Sequence, residues 1–389
     1  MRIAIDYTAA ARQGGGIGRY ARELISAVLA QESTHQFVLM AASAGLGERW
    51  QREQARLRAL AAHPEQLHFR SPPLTDDWMA RIWQRLRLPL PAELLTGRVD
   101  CFYSPDFVLP PLLPATKALL TVHDLSFLRH PETFPPPLRR YLETAVPRSV
   151  ARADHILADS ESTRRDLITL LDTLAEKVTT LYSGVSPAFN MQTAPGERKR
   201  LQKRYGIGER PYILTVGTVQ PRKNYVRLMI ACDPLAAEQA VDLVIVGQPA
   251  WLAEPILAAA DEREYVHRLG FTEDGDLPAL YRQAAICAFP SIYEGFGLPV
   301  LEAMACGTPV VASSASSIPE VVGEAGLLVD PLDVAGWTAA LRRVLRETEL
   351  HTELRARGLA HALTFDWKRT ARQWSQLVST LLTKEKTHD

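Results

Sequence analysis

The sequence has no excess of charge of either sign. Lys and Arg together number 44 among the 389 residues, and Asp and Glu also number 44. A protein that binds duplex nucleic acid normally carries a basic excess, so this balance argues against that class and predicts no nucleic-acid partner. Local basic patches are still compatible with it.

Cysteine is scarce, and its spacing is informative. The four cysteines are widely scattered, with no CxxC pair and no metal-ligand spacing: Cys101, Cys232, Cys287 and Cys306. We therefore expect reduced thiols in the core of a cytoplasmic protein, and no cysteine metal site.

Long apolar runs are also missing. None reaches the roughly 18 residues that a membrane span needs. The N-terminus, "MRIAIDYTAA", lacks the layout of a signal peptide and predicts a first strand instead. We therefore expect a cytoplasmic protein that acts on a membrane, if it does so, from the membrane surface.

Hydrophobic residues are plentiful at 47%, and the length favours two domains. Apolar runs such as "RIAIDY", "HQFVLMAAS", "DCFYSPD", "KALLTVHDLS" and "ADHILADSEST" predict buried strands separated by helices. Near residue 185 a stretch rich in Gly, Pro and charge interrupts this rhythm. It resumes with "YILTVGT", "VDLVIVGQ", "EYVHRLGF", "AAICAFPS" and "TPVVASS". We predict an α/β protein with two Rossmann-like, doubly wound parallel sheets, in domains 1–188 and 189–364, and a helix in 365–389.

Two such sheets in tandem suggest a cleft between the domains. Ligands of open α/β sheets bind outside the carboxyl ends of the strands. Candidate site residues should therefore follow strands, and the motifs described next do so.

The stretch "SIYEGFGLPVLEAMACGTPVVAS" carries Glu294 and Glu302 on either side of two glycines and a proline. We interpret it as a strand end, a loop and a helix with Pro299 near its first position. Gly295 and Gly297 would let the backbone approach a ligand, and amides at a helix start attract phosphate. The carboxylates would accept bonds from sugar or ribose hydroxyls. The pattern predicts a nucleotide-sugar site, although a lone glutamate here could equally be a solvated loop or helix residue.

The stretch "ILTVGTVQPRKN" places two cations after another strand. The strand ends at Gly217, and Arg222 and Lys223 follow the next turn. Adjacent cations at a strand's carboxyl end would neutralise a diphosphate as its bond breaks. The alternative is a solvated surface pair.

The glycine run "GGGIG", Gly14 to Gly18, follows the first strand and opens a helix, as a phosphate loop does. It is not GxGxxG, and no acidic residue convincingly ends the next strand. A nicotinamide cofactor is therefore a poor fit. The run is either a structural turn or a loop that touches ligand.

The stretch "LLTVHDLSFLRHPETF" ends a strand with His123 and Asp124. Either could be an ordinary residue at the edge of the core. In the functional interpretation His123 faces the cleft and hydrogen bonds to a sugar, while Arg129 and His130 contact acceptor or donor.

The stretch "DDWMARIWQRLRLPL" alternates apolar residues, Trp78 and Leu86 among them, with arginines. It is typical either of a helix lying on an anionic membrane surface or of an ordinary surface helix with its apolar side on the core.

Together these motifs resemble family-4 retaining glycosyltransferases of the GT-B fold. The similarity rests on "EGFGLPVLEAMACGTPVV", "VGTVQPRKN", "TVHDLSFLRHPETFP", "ADSESTRRDL", "YSGVSPAF" and "GGGIGRYARELISAVL", and it covers nearly the whole chain. The stretches "PRKN" and "HDLSFLRHPETFP" most resemble the corresponding stretches of the bacterial O-antigen mannosyltransferases. Many members have an arginine directly after the strand glycine, where this chain has Thr218.

The resemblance implies a role for each matching residue of the second domain. Arg222 and Lys223 would bind the diphosphate, and Glu302 would bind the ribose hydroxyls. Glu294 would hold the donor sugar. The backbone after Glu294 would also bind the donor, and it comprises Gly295, Phe296, Gly297 and Leu298.

The remaining implied roles lie at other strand ends. His123 would sit beside the anomeric centre, and Gly16 near the phosphates. The segment from Leu269 to Phe271 would run past the base, while Gly217 and Thr218 would border the donor. The helix in 365–389 would pack back towards the N-terminal domain, which would bind the acceptor.

The resemblance also implies the reaction. A hexose would pass from a nucleotide sugar, with GDP-mannose favoured and UDP-glucose or another UDP-hexose as the alternative, to an acceptor hydroxyl of a glycan or lipid-linked glycan. The anomeric configuration would be retained, and no metal would be required. An alternative of another class is a nucleotide-sugar epimerase of the same fold, and a non-catalytic nucleotide-binding protein is a third.

Overall fold

A computed structural model describes residues 1–31, 34–239, 241–272 and 275–383. The chain forms two compact units. Unit 1 comprises Met1–Leu125, Arg140–Gly184 and the described chain from Trp367 onward, whereas unit 2 comprises Ser126–Arg139 and Val185–Asp366. Residues 384–389 of the predicted C-terminal helix lie outside the described residues.

Unit 1 is built on a seven-stranded sheet in which every pairing is parallel. Its strand order is β3-β2-β1-β4-β5-β6-β7. The strands are β1 (Arg2–Asp6), β2 (Gln36–Met40), β3 (Leu67–Arg70), β4 (Cys101–Ser104), β5 (Lys117–Val122), β6 (His155–Ala158) and β7 (Val178–Thr180).

Unit 1 also contains helices, most of which connect these strands. They are α1 (Thr8–Arg12), α2 (Gly16–Leu29), α3 (Gly47–Leu60), α4 (Asp76–Ala80), α5 (Glu93–Thr96), α7 (Pro136–Arg152), which starts in the unit 2 segment, α8 (Glu161–Leu170) and α17 (Trp367–Thr383). The C-terminal helix α17 packs against α2. Two of its tryptophans anchor it, since Trp367 contacts the ring of Tyr20 and the buried Trp374 contacts Tyr103.

Unit 2 repeats this plan with a six-stranded parallel sheet in the order β10-β9-β8-β11-β12-β13. The strands are β8 (Tyr212–Val216), β9 (Asp242–Val246), β10 (Val266–Gly270), β11 (Ile286–Phe289), β12 (Val310–Ser313) and β13 (Leu327–Val329). Two apolar cores, one on each face of the sheet, bury the side chains that alternate along its strands.

Unit 2 also contains helices, most of which cover these two faces. They are α6 (Ser126–Arg129), α9 (Glu197–Tyr205), α10 (Tyr225–Gln239), α11 (Glu254–Asp261), α12 (Leu277–Gln283), α13 (Leu298–Ala305), α14 (Ile318–Val322), α15 (Val334–Arg346) and α16 (Thr348–Ala362). Within the described ranges, every helix is too short or too polar to cross a lipid bilayer. The α/β class and the two doubly wound parallel sheets predicted from the sequence are confirmed.

The segment 126–139 differs from the sequence-based division, which placed it in the N-terminal domain. In the structure it packs with unit 2. The ring of Phe134 stacks on Trp251 at 5.5 Å, and Trp251 Nε1 donates a hydrogen bond to the Thr133 carbonyl at 2.9 Å. His130 lies against the ring of Tyr293. These long-range contacts, rather than sequence continuity, decide where the segment belongs.

Candidate active site

Two adjacent strands bring the predicted cations and the first glutamate of the motif together. β8 and β11 are neighbours at the point in the unit 2 sheet where the strand order reverses. Arg222 and Lys223 follow β8 in a 3₁₀ turn, and Glu294 follows β11. Open α/β sheets bind ligands at this switch point, outside the carboxyl ends of the strands.

Glu294 pairs with both cations. Its Oε1 lies 2.6 Å from Lys223 Nζ, and its Oε2 lies 3.0 Å from Arg222 Nη1. Arg222 Nη1 also donates to the Tyr293 carbonyl at 2.6 Å. Lys223 Nζ lies 5.1 Å from the centre of the Phe289 ring. The three charged groups are largely buried, so they form a compact site with one net positive charge.

The electrostatics of Glu294 follow from this pairing. Burial alone raises the pKa of its carboxyl, but the charges of Arg222 and Lys223 outweigh burial and lower the pKa to about 2. The carboxylate is therefore ionised throughout the physiological range. An incoming diphosphate would compete with it for the same two cations.

Asn224 fixes the turn that carries the cations. It adopts the left-handed backbone region at φ 59°, which Asn tolerates better than most residues. Its side-chain amide donates to the carbonyls of Pro290 and Pro331 at 3.0 and 2.7 Å. Asn224 thereby ties the turn after β8 to the loop after β11. The sequence-based interpretation of "PRKN" did not include this role, although an Asn directly after a turn is a usable signal for it.

Two serines fix the loop that carries Glu294. Ser316 Oγ accepts a hydrogen bond from the Glu294 amide at 2.8 Å. Ser317 Oγ donates to the carbonyls of Glu294 and Phe296 at 2.9 and 2.8 Å. Both serines follow β12, so three neighbouring strands build the loop geometry. The only sequence signal for these serines is the cluster "SSASS", which the predicted site did not include.

Glycine is required at two positions in this site. Gly217 has φ +152°, and a Cβ there would lie 3.1 Å from Lys223 Cε. Gly297 has φ +118° and is the N-cap of α13, and a Cβ there would lie 2.8 Å from Ile318 Cδ1. Both positions therefore need glycine for conformational and steric reasons, and Gly217 keeps the backbone close to Lys223.

The remaining motif residues lie along α13 and its approach. Gly295 directly follows Glu294, while the Phe296 side chain is buried in the unit 2 core. Leu298 is the first residue of α13, next to Pro299. Glu302 is buried one turn further on, where its Oε2 accepts a hydrogen bond from Tyr281 at 3.0 Å.

Thr218 and Phe271 lie at other strand ends of unit 2. Thr218 is exposed directly after Gly217. Phe271 is also exposed and directly follows β10, an edge strand two positions away from β8. The structure therefore does not bring Phe271 into contact with the cation pair.

His123 lies in unit 1, directly after β5, and its ring is buried. Its Nδ1 lies 2.6 Å from Asp159 Oδ2, and its Nε2 lies 2.9 Å from the Pro105 carbonyl. Burial lowers the pKa of His123, but Asp159 and Asp106 outweigh burial and raise it to about 9. The imidazolium form donates from both nitrogens, so Nε2 must leave Pro105 before it can bond to a sugar.

Gly16 is the first residue of α2 in unit 1, and within the described part of the chain, its own neighbours and helix backbone aside, no heavy atom lies within 4 Å of the position that its Cβ would occupy. Gly18, two residues later, has a packing role instead, because a Cβ there would lie 2.3 Å from the Gln13 carbonyl oxygen. The run "GGGIG" therefore combines an open helix start with a structural glycine.

Two family models cover most of the chain. The model described as "Glycosyltransferase Family 4" matches residues 14–189, and the model described as "Glycosyl transferases group 1" matches residues 210–347. The O-antigen chain mannosyltransferase B of Escherichia coli is 33% identical over 365 residues, which are 92% of this chain and 94% of that protein. An epimerase finds no support in these matches.

Solved structures show the same fold at low identity. Sucrose-phosphate synthase from Thermosynechococcus elongatus matches with a TM-score of 0.74 at 20% identity, over 98% of this chain and 99% of that chain. Anabaena HepE in complex with UDP and glucose matches with a TM-score of 0.73 at 18% identity, over 98% and 100%. The two parallel sheets, the cation–glutamate site and these similarities all point to the same family and fold. The chain belongs to the family-4 glycosyltransferases and has the GT-B fold.

Proposed function

We propose that this glycosyltransferase moves a hexose from a nucleotide sugar to an acceptor hydroxyl during glycan or polysaccharide synthesis. The observation that carries the proposal is the convergence of Arg222 and Lys223 on Glu294 at the switch point of the unit 2 sheet. Two cations held side by side suit a diphosphate, because Arg offers a planar fork of donors and Lys a point charge.

The proposed chemistry depends on the departing nucleotide. The bond between the anomeric carbon and the diphosphate oxygen breaks, and the acceptor oxygen bonds to the same carbon from the same face. The leaving phosphate takes the acceptor proton. Stabilising the charge that develops on this phosphate is then the main catalytic task, and Arg222 and Lys223 perform it. The reaction retains the anomeric configuration and uses no metal.

The other residues bind parts of the donor in this proposal. Glu302, held by the Tyr281 hydroxyl, accepts hydrogen bonds from the ribose. Glu294 and the backbone of Gly295, Phe296, Gly297 and Leu298 hold the sugar. Gly217 and Thr218 border the phosphates, and the segment from Leu269 to Phe271 runs past the base.

The family resemblance assigns donor contacts to two residues of unit 1 as well. Gly16, at the open start of α2, approaches the phosphates. His123 bonds to the sugar once its Nε2 leaves Pro105. Unit 1 supplies the acceptor-binding groups.

GDP-mannose is the donor that we favour. The name of the E. coli relative, a mannosyltransferase that matches over most of both chains, supports mannose. UDP-glucose or another UDP-hexose is the alternative, which the complex of HepE with UDP and glucose illustrates for a protein of this fold.

A thermal-shift panel of GDP, UDP, ADP and their sugars tests the donor. A ligand that binds only the folded protein raises the melting temperature according to its concentration relative to its dissociation constant. GDP and GDP-mannose should give the largest shifts in the wild type, and Arg222→Ala should reduce the GDP shift. Lys199→Ala, on the exposed face of α9, is the matched control and should keep them. Product analysis with purified donor and no acceptor separates a transferase from an epimerase.

We also propose that the protein works in the cytoplasm and contacts a membrane surface through the segment 78–94. The four cysteines are free and buried, as a reducing compartment allows. The segment exposes an unusual number of large apolar side chains, namely Trp78, Leu86, Leu88, Leu90 and Leu94. Three exposed arginines alternate with them, at 81, 85 and 87. Aromatic and leucine side chains among arginines suit the headgroup region of an anionic bilayer.

The structure changes the predicted form of this segment. The chain does not form one continuous α-helix there, since α4 ends at Ala80 and a π-helical turn, Arg81–Arg85, follows. Met79 and Trp83 are buried while Trp78 and Leu86 point to solvent. The segment therefore has both an ordinary core-facing side and an exposed apolar side, and a lipid-linked glycan is an acceptor that the exposed side would suit.

A further inference from the structure

Unit 1 holds a cavity of about 330 Å³ beside its own switch point. The order of the sheet reverses between β1 and β4, and the cavity is lined by Asp6 at the end of β1 and by Asp106 just after β4. Its volume lies near the lower end of small-molecule pockets, which span about 300–1,000 Å³. The cavity is therefore large enough for a small ligand and lies where open sheets bind ligands.

The walls of this cavity combine apolar surface with hydrogen-bonding groups. Met79, Val108, Pro110 and the ring of Trp83 supply the apolar surface, and Gln84, Thr8 and Tyr141 supply polar groups. Trp83 and Gln84 are buried and fixed, because Trp83 Nε1 donates to the Leu90 carbonyl and Gln84 Nε2 donates to the Leu109 carbonyl, each at 2.9 Å. A rigid wall with a flat apolar surface beside polar groups suits a sugar ring.

Asp6 and Asp106 are the acceptors best placed for a ligand. Asp6 Oδ1 accepts from the Thr8 amide at 2.9 Å, and Asp106 Oδ1 accepts from the Phe107 amide at 2.9 Å. Among the described residues neither carboxylate forms an ion pair. Burial raises the pKa of both groups. Because a carboxyl group has two oxygens, each of them with lone pairs, acceptor capacity remains that hydroxyl donors of a ligand could satisfy.

The charges around the cavity are predominantly negative. Four aspartates line it against a single arginine, Arg12. Arg12 is already engaged, because it pairs with Asp76 at 3.1 Å and donates to the Ala44 carbonyl. Asp77 pairs with Arg81 at 2.8 Å, outside the lining. A phosphorylated ligand would therefore meet mostly like charge, and the one arginine of the lining is already occupied.

We infer that this cavity binds an uncharged sugar unit of the acceptor, with Asp6 and Asp106 accepting its hydroxyl hydrogens, and that it rejects phosphorylated sugars. The inference rests on the proposed function, and it names the chemical class of the acceptor. His123 is close to this wall, since the ring of Phe107 lies 5.4 Å from the His123 ring and Asp106 raises the pKa of His123.

Saturation-transfer difference NMR on the full chain tests this assignment without depending on turnover. The probes are methyl α-mannoside, methyl α-glucoside and mannose 6-phosphate. At least one methyl glycoside should bind, and mannose 6-phosphate should bind at least tenfold more weakly. The double variant Asp6→Asn/Asp106→Asn should weaken glycoside binding about tenfold, the scale of a lost hydrogen bond to a charged group. In the double variant, the difference in affinity between the methyl glycosides and mannose 6-phosphate should also become smaller.

Two controls keep the result interpretable. Asp172→Asn makes the same chemical change at an exposed position of unit 1 and should bind the glycoside as the wild type does. The double variant should keep the wild-type thermal shift with GDP, because Arg222, Lys223 and Glu302, which supply the main proposed nucleotide contacts, lie in unit 2. A retained shift shows that the variant is folded. If the double variant loses that shift, the single variants Asp6→Asn and Asp106→Asn are measured instead. Each of them should weaken glycoside binding.

Three outcomes overturn the inference: no binding of either glycoside to the wild type, equal binding of mannose 6-phosphate, or unchanged binding in a folded variant. These failures are distinct from failure of the proposed function. If nucleotides raise the melting temperature but no glycoside binds, only the cavity assignment is wrong. If a glycoside binds but no nucleotide raises the melting temperature, only the donor proposal is wrong.

Discussion

Lys223 and Glu294 form a 2.6 Å ion pair although 71 positions separate them in the chain. The same carboxylate also holds Arg222, so one glutamate occupies both cations that the proposal assigns to the diphosphate. Donor binding must therefore exchange one anion for another. The first two predictions concern the groups that take part in this exchange, namely Glu294 and the two cations.

Glu294→Gln should strengthen nucleoside diphosphate binding while it lowers turnover. The amide removes the negative charge that competes for Arg222 and Lys223, so GDP should give a larger thermal shift and bind several-fold more tightly. Turnover should fall because the proposed contact with the donor sugar is weakened. Glu324→Gln, exposed in the same unit, is the control. Weaker GDP binding by Glu294→Gln would show that the carboxylate orients the cations rather than competing for them.

Arg222→Ala and Lys223→Ala should each lower turnover about a hundredfold, the scale for removing one strong donor to a developing anion. The loss should appear mainly in kcat, because the charge on the leaving phosphate grows in the transition state. Steady-state kinetics with saturating donor measure it, and Lys199→Ala supplies the control. Near-wild-type turnover in both variants would contradict the proposal that these cations stabilise the leaving phosphate.

Tyr281→Phe should raise the KM for the donor while changing kcat little. The Tyr281 hydroxyl donates to Glu302 at 3.0 Å and so orients the carboxylate proposed to bind ribose. A hydrogen bond of this kind contributes about 0.5–1.5 kcal/mol, or about a two- to tenfold change. Tyr265→Phe, which loses bonds to Met229 and Asp233 elsewhere in unit 2, is a matched control and should leave KM unchanged. Equal effects of both variants would indicate only a general loss of stability.

The pH behaviour of unit 1 depends on His123 and Asp159. The folded-state pKa of His123 is raised from 6.5 to about 9, so this histidine contributes stability to unit 1 that is fully present below pH 6.5 and is lost as the pH rises through 9. Burial also raises the pKa of its partner Asp159. NMR titration of the His123 ring should show a midpoint near 9, and Asp159→Asn should lower it. Asp172→Asn should leave it unchanged. A wild-type midpoint at or below 6.5 would mean that burial outweighs the two carboxylates.

The sequence was sufficient to predict most strands and the residues that follow them. Most of the predicted strands are apolar runs in the middle of each sheet, where burial on both faces demands such composition, and β10 is the one edge strand that was predicted. The three that were not predicted, β3, β7 and β13, are three or four residues long and lie at sheet edges. Two of the four residues of "LHFR" and two of the three residues of "VTT" are polar, because one side of an edge strand faces solvent or loop, so composition carries little signal.

The same limit applies to the site. Arg222, Lys223 and Glu294 could be proposed from local motifs, because their residue types carry the chemistry. The contacts of Asn224 and Ser317 could not, since they join loops that are far apart in sequence. The placement of 126–139 in unit 2 likewise depends on Trp251, more than a hundred residues later.

Membrane binding through the segment 78–94 gives the last prediction. Trp78 is 51% exposed and Leu86 is 63% exposed, so replacing both with Ser removes apolar surface without opening the core. Trp78→Ser/Leu86→Ser should cosediment several-fold less with vesicles of phosphatidylglycerol and phosphatidylcholine, because apolar insertion and arginine attraction act together. Binding of the wild type should fall with added salt and should be weak on pure phosphatidylcholine, as screening of the arginines requires. Leu363→Ser, at an 83% exposed leucine of unit 2, should bind as the wild type does. Equal cosedimentation of the double variant and the wild type would assign the exposed apolar side of 78–94 to some other contact.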